Sequence, residues 1–293
     1  MKINGKILLK GLGLHSGKEC ELLIEPCDSE EILINDFPIS KFSLSGTNRG
    51  SDYIFPDDSR IKTCEHVLSA LTGMGIWSGI NIKVKGGEMP ALDGCGKLLS
   101  EEIKKHINPL ATSWPSPPCQ GAQDYYSNLP PLLRGGVEQS ETEGLKIKNS
   151  VIVSSEDKKR FAAAFPCDCL RVSYTVEYDF IGAQIFDYVH SPENYFENIA
   201  GARTFAMEAD INYLRSHGMA LGGSLDNAIV VGEKIQAKGG LRWKDEFVRH
   251  KVLDLIGDLA SLGRPLNAHI IAMRAGHELH LKLAEKLKAM KGE

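Results

Sequence analysis

No stretch of the sequence approaches the ~20 consecutive apolar residues that cross a bilayer as a helix, so no membrane span is expected. The opening residues, MKINGKILLKGLGLHSGK, start with charge, but Gly and Lys break their apolar run, unlike the continuous apolar region of a secretory signal. An excess of positive charge is also missing. The 34 Lys and Arg stand against 38 Asp and Glu, a formal net charge of −4, and this removes the basic field that nucleic-acid binding needs. Paired CxxC motifs are absent. The seven cysteines (Cys20, Cys27, Cys64, Cys95, Cys119, Cys167 and Cys169) are odd in number and irregularly spaced. That pattern argues against a disulfide framework and against a four-cysteine zinc site; the thiols are expected to be mostly reduced. What remains is ordinary for a soluble globular chain. The 293 residues are 42% hydrophobic and 25% charged, enough for one or two domains with sizeable cores in a protein made and kept in the cytoplasm.

The periodic patterning breaks once. Residues 108–144 are dominated by Pro, Gly, Ser and polar residues and hold no period of 2 or 3.6, which reads as a linker. It separates an N-terminal part, 1–107, from a C-terminal part, 145–293. In the latter, IKNSVIV and LRVSYTVEYD alternate apolar and polar residues, as half-buried strands do. The two parts also share a punctuation. A helical pattern in CEHVLSALTGMG ends in Gly and leads to the strand INIKV and a Gly-Gly turn; EFVRHKVLDLIGDLASLG ends in Gly and leads to AHIIAM and AGHELH. Glycine closes helices because it accepts the left-handed conformation. The recurrence predicts two similar α+β domains.

Wound as a helix, EFVRHKVLDLIGDLASL places Val248, Val252, Leu255, Ile256, Leu259 and Leu262 on one stripe and His250, Asp254 and Asp258 opposite. Groups at i and i+4 lie about 5–6 Å apart on one face, close enough for two to reach one metal ion. A solvated His–Asp pair has the same spacing, so both readings stand at this point. In the first part, Glu65 and His66 are neighbours at a helix start whose apolar side is Val67, Leu68, Leu71 and Met74. Glu65 need not bind what His66 binds but could stand beside it, as a general base for a metal-activated water must. A carboxylate near a helix N-terminus is also favoured by the helix dipole alone. His277 follows a strand and a Gly turn, a common setting for a functional side chain and equally for an ordinary loop histidine. His280 is expected at the surface. The Gly-rich GLGLHSG and LGGSLDNAIVV decide nothing by themselves.

Six segments in order make a larger pattern: GLGLHSGK (11–18), CEHVLSALTGMGI (64–76), EMPALDG (88–94), ARTFAMEADINYLRSHGMALGGSLDNAIVV (202–231), LRWKDEFVRHKVLDLIGDL (241–259) and AGHELHLKL (275–283). Together they resemble the UDP-3-O-acyl-N-acetylglucosamine deacetylase family of lipid A biosynthesis, over nearly the whole chain apart from the linker. The resemblance implies an α+β fold of two similar domains, each a β-sheet with helices on one face. The helices of the two domains would pack together around the active site. It implies zinc held by His66, His250 and Asp254 with one position left for water, a donor set that Fe(II) also fits.

By the same resemblance, Glu65 would take the proton of the attacking water, and Thr204 would help zinc stabilise the oxyanion. His277 would be cationic and protonate the leaving amine, with Asp258 orienting it. Phe205 would stack on the sugar, while Lys251, Arg274 and His15 would serve the UDP diphosphate and nearby polar groups. The 202–231 segment would form an apolar passage for the acyl chain, lined by Ile211, Ala220, Ser224 and Val230, where each buried methylene contributes about 0.8 kcal/mol.

Three features depart from the family pattern. The 108–144 stretch is long and rich in Pro and Gly; Glu208 stands near the passage, where an apolar residue is common; and Cys64 precedes the Glu-His pair, as an oxidation-sensitive neighbour of the metal or as a small buried hydrophobe. The resulting expectation is a monomeric cytoplasmic hydrolase. It would cleave the acetamide of UDP-3-O-(3-hydroxyacyl)-N-acetylglucosamine to acetate and a free 2-amino sugar, with no nucleic-acid partner. Its rivals are a metal-dependent amidase for another acyl amide and an inactive nucleotide-sugar-binding protein of the same fold. Retention of Glu65, the three ligands and His277 speaks against the second.

Overall fold

The computed structural model describes residues 1–47, 50–107 and 144–290; apart from Gly144, the expected linker lies outside the described residues. The N-terminal part runs β1 (Ile7–Leu12), β2 (Glu19–Pro26), β3 (Leu33–Ile34), β4 (Phe37–Pro38), β5 (Ser43–Thr47), β6 (Gly50–Ile54), β7 (Arg60–Ile61), α1 (Glu65–Gly73), β8 (Ile80–Lys85) and α2 (Lys97–His106). The C-terminal part runs β9 (Leu145–Lys146), β10 (Val151–Ser154), β11 (Phe161–Pro166), β12 (Arg171–Tyr178), β13 (Gly182–Val189), α3 (Pro192–Asn198), β14 (Phe205–Met207), α4 (Glu208–Ser216), β15 (Ile229–Val231), β16 (Ile235–Gln236), α5 (Glu246–Leu259), β17 (Leu266–Met273) and α6 (His277–Ala289). Local chemistry accounts for the long elements. Alternate residues of β2 (Cys20, Leu22, Ile24) and of β12 (Val172, Tyr174, Val176) are buried, the period of a strand with one face on a core. Both helix stops fall where glycine predicts them: Gly75 and Gly263 take the left-handed φ of 80° and 70°.

The repeat is more complete than the sequence hints. The first large sheet has the order β1-β2-β8-β3-β4 and the second β10-β11-β17-β12-β13, with the two-residue β9 added in parallel beside the start of β17. In each, the first two pairings and the last are antiparallel, and only the last-made strand, β8 or β17, runs parallel to a neighbour, β3 or β12. The helix preceding that central strand is α1 in one copy and α5 in the other. Each copy also inserts a three-stranded sheet at the same point of its topology, β5-β6-β7 and β14-β15-β16. The two-domain α+β architecture is therefore one unit used twice.

The copies meet helix to helix. Leu22, Ile24 and Ile82 of the first sheet, Val67 and Leu71 of α1, Leu255 and Leu259 of α5, and Val172 and Ile270 of the second sheet belong to one continuous buried cluster. Helix α1 packs on α5, which in turn lies on β12 and β13. The contact is close because residue 257 has no side chain: a Cβ on Gly257 would stand 2.0 Å from the Glu65 carbonyl oxygen. The polar side of α5 is consequently not solvated. His250, Asp254 and Asp258 are as buried as the leucines opposite them, so this helix is enclosed on both faces rather than lying on a surface. Of the described cysteines, Cys20, Cys27, Cys64, Cys95 and Cys167 are free, as expected, whereas Cys169 is disulfide-bonded.

Candidate active site and metal centre

His66 comes from the first turn of α1, and His250 and Asp254 from successive turns of α5. Their ligating atoms lie within 4.8 Å of one another. Asp254 Oδ1 stands 3.2 Å from His250 Nε2 and 3.6 Å from His66 Nε2. It is buried with no hydrogen-bond partner among the described residues, although a buried carboxylate oxygen is costly to leave unpaired. His250 Nδ1 faces the Ala202 carbonyl at 3.0 Å. Donation to that oxygen directs the lone pair of Nε2 toward Asp254, the second contact that usually orients a metal-binding imidazole. Burial drives the pKa of His250 down to about 3, so it is neutral, as a ligand must be. Burial also opposes a charge on His66, but Asp254 and Glu65 outweigh it and raise its pKa; these residues favour positive charge at their meeting point. Two imidazoles and one carboxylate, with an orphaned oxygen between them, fit a divalent transition metal of the zinc or Fe(II) kind.

The other Asp254 oxygen, Oδ2, pairs with Lys251 Nζ at 2.8 Å and lies 3.7 Å from His277 Nε2. The carboxylate thus turns one oxygen to the histidine pair and the other to two cationic groups. His277 opens α6, and its Nδ1 meets Asp258 Oδ2 at 2.8 Å. Burial works against a charged His277, but Asp258 and Asp254 overcome it and lift its pKa to about 9, so the imidazolium persists at neutral pH. Glu65 is buried beside His66. Its Oε2 accepts from both the backbone N–H and the hydroxyl of Ser51, at 3.0 and 2.8 Å.

Every site residue singled out in the sequence lines one cleft of ≈ 710 Å³, except Asp258, which sits behind His277. One end holds Glu65, His66, His250, Asp254 and His277. Thr204 and Phe205 form the wall where β14 begins, and the Phe205 ring packs edge-on against Tyr178 and Phe247 at 5.4 and 5.1 Å between centroids. Ile211 and Val230 line the far stretch, with Ala220 and Ser224 on the loop between α4 and β15. Glu208 does stand in this wall, where Gln236 Nε2 donates to its Oε1 at 3.4 Å. Arg274 reaches the rim and pairs with Glu177 at 3.3 Å. His15 sits where the 13–17 turn meets the 220–222 backbone. Cys64 is fully buried, its thiol donating to the Ile61 carbonyl, which is the small-hydrophobe role.

The sequence reading missed three contributors and misplaced one. His280 is not at the surface. It is fully buried, with Nδ1 2.7 Å from Asp258 Oδ2 and Nε2 2.8 Å from the Tyr174 hydroxyl. The signal was available in its i+3 spacing from His277, which puts both rings on one side of α6. Ser51, Tyr174 and Glu88 gave no such signal, because their partners are remote in sequence. Glu88 is buried and accepts from His15 N at 2.8 Å, Ser16 N at 2.9 Å and the Thr63 hydroxyl at 3.0 Å. It ties the His15 turn to the residues leading into α1.

Fold and site together define a two-domain α+β hydrolase with a candidate metal centre between its halves. The sequence matches the family described as LpxC: UDP-3-O-acyl N-acetylglycosamine deacetylase over residues 1–110 and 120–289, and the chain belongs to that family. It is 34% identical over 293 residues to the UDP-3-O-acyl-N-acetylglucosamine deacetylase of Aquifex aeolicus, covering 97% of this chain and 91% of the relative. The enzyme of the same name from Thermodesulfovibrio yellowstonii is 33% identical, covering 97% and 90%. That of Synechocystis is 32% identical and covers 97% of each.

Proposed function

We propose that the protein is a zinc-dependent deacetylase of lipid A biosynthesis that hydrolyses the acetamide of UDP-3-O-(3-hydroxyacyl)-N-acetylglucosamine, releasing acetate and the free 2-amino sugar. One observation carries the reading. His66, His250 and the unpartnered buried oxygen of Asp254 converge at the floor of a cleft whose walls also hold Glu65 and His277. Bound there, zinc supplies Lewis acidity, polarising a carbonyl and bringing the pKa of water toward ~7. Glu65, fixed by Ser51, accepts the proton of the attacking water. Thr204, in the cleft wall, donates its hydroxyl to the oxyanion that develops as the amide carbonyl becomes tetrahedral. His277 then gives its proton to the departing amine, and Asp258, hydrogen-bonded to Nδ1, keeps Nε2 aimed at the cleft. Lys251, with its charge on Asp254 Oδ2, adds a second cation near the developing negative charge.

Phe205 offers a flat face to the sugar, Arg274 and His15 lie at the rim for the diphosphate, and the Ile211–Val230 stretch takes the acyl chain. The protein on this reading works as a monomer in the cytoplasm.

The test combines metal analysis with an acetate-release assay on the UDP-linked acylated substrate. About one tightly held metal per chain is expected for such a three-ligand site. His66→Ala loses both metal and activity; Glu65→Gln keeps the metal and loses most of the activity. Full turnover by a metal-free preparation refutes the reading. Turnover of simpler acyl amides at an equal rate moves the assignment to a broader amidase.

A further inference from the structure

The Glu65 side chain is held from outside its own helix. Ser51, on the middle strand of the small N-terminal sheet, is fully buried and aims its backbone N–H and its hydroxyl at the same carboxylate oxygen, Oε2, at 3.0 and 2.8 Å. Neither donor engages Oε1. On the neighbouring Gly50, an added Cβ would come 3.1 Å from Oε1, so a side chain at that position would crowd this oxygen. The terminal torsion of a glutamate is broad and weakly restrained by itself. Two donors on one oxygen remove that freedom and fix the plane of the carboxylate.

We propose that Ser51 is a positioning residue for the hydrolysis. It anchors Glu65 through Oε2, so that Oε1 is the oxygen presented to the cleft to receive the proton of water. The proposal rests on the reading that Glu65 is the base. Ser51 does not line the cleft, whereas Glu65 does. A change at position 51 therefore leaves the substrate-facing surface intact and reaches the chemistry through the carboxylate.

Ser51→Ala removes the hydroxyl bond and keeps the backbone one. Loss of a hydrogen bond to a charged group predicts a fall in kcat of about 10- to 30-fold, with KM within about twofold. Metal content should match the parent, and the melting temperature should fall by no more than several degrees, as the loss of one buried hydrogen bond allows. Ser51→Thr restores the hydroxyl and is expected to recover kcat to within about threefold. Ser51→Cys, a near-isosteric weaker donor, serves if the alanine variant does not fold, and its kcat falls in the same direction. The deciding measurement is a double-mutant cycle: in the Glu65→Gln background Ser51→Ala costs nothing further. An undiminished kcat in Ser51→Ala, or the same loss with and without the Glu65 carboxylate, overturns the proposal. If Glu65→Gln itself turns over normally, the base assignment fails first, and that outcome is read from the single mutant alone.

Discussion

Asp258 serves two imidazoles with one oxygen. His277 Nδ1 and His280 Nδ1 both approach Oδ2, at 2.8 and 2.7 Å, and His280 passes the chain on to the Tyr174 hydroxyl. The Tyr174 hydroxyl also donates to the Ala275 carbonyl at 2.9 Å, so Tyr174, His280 and Asp258 form one string, tied to the backbone, that fixes the carboxylate behind His277. Removing its middle member should loosen His277 without touching the substrate. His280→Ala is expected to lower kcat about tenfold with KM little changed, and Tyr174→Phe by only a few-fold, as steady-state kinetics would read. A second residue speaks to pH. Glu193, in the first turn of α3, titrates at about 7 because burial disfavours its charge. A carboxyl whose folded pKa is raised adds stability that is fully present below its unfolded value and lost as pH rises through the folded one. Glu193→Gln should therefore melt higher than the parent at pH 8 and equally at pH 4. The gain is about 1 kcal/mol or less, since solvent still reaches part of this incompletely buried carboxyl and screens it.

Among the elements, the crossing of α1 and α5 matters most, because it brings His66 and Glu65 up to Asp254. Gly257→Ala inserts a methyl 2.0 Å from the Glu65 carbonyl and must push the helices apart. A loss of about 1–3 kcal/mol of stability follows from such overpacking, together with weaker metal binding, as thermal melts and a metal titration would show. The same crossing marks the limit of what the sequence could say. The two helices, their glycine stops and the strands after them were legible because 3.6- and 2-residue periods persist over their length. The face carrying His250, Asp254 and Asp258 was visible as a pattern, but its burial was not, because the surface that covers it belongs to the other half of the chain. Strands such as β3 and β4 are two residues long and carry no period at all. Thr204, Phe205 and the passage residues became legible only through resemblance to a family, since each is an ordinary residue whose meaning comes from where β14 and α4 are placed.

At the scale of the molecule, the fold is duplicated but the site is not. One copy supplies the proposed base and one proposed ligand; the other supplies two proposed ligands and the aspartate behind His277. A metal that binds the folded chain and not the unfolded one stabilises by mass action, about 2.7 kcal/mol at a hundredfold excess over Kd. Metal removal should therefore lower the melting temperature by several degrees, and His66→Ala should abolish that dependence while leaving the metal-free melting point nearly unchanged. Ligands divided in this way also impose an order in time. No contiguous stretch of the chain can assemble the centre, so the ion's full coordination waits until both sheets have formed and α1 has docked on α5. In refolding, metal capture should trail the appearance of sheet structure, so that the proposed centre is the last part of the molecule to come into being.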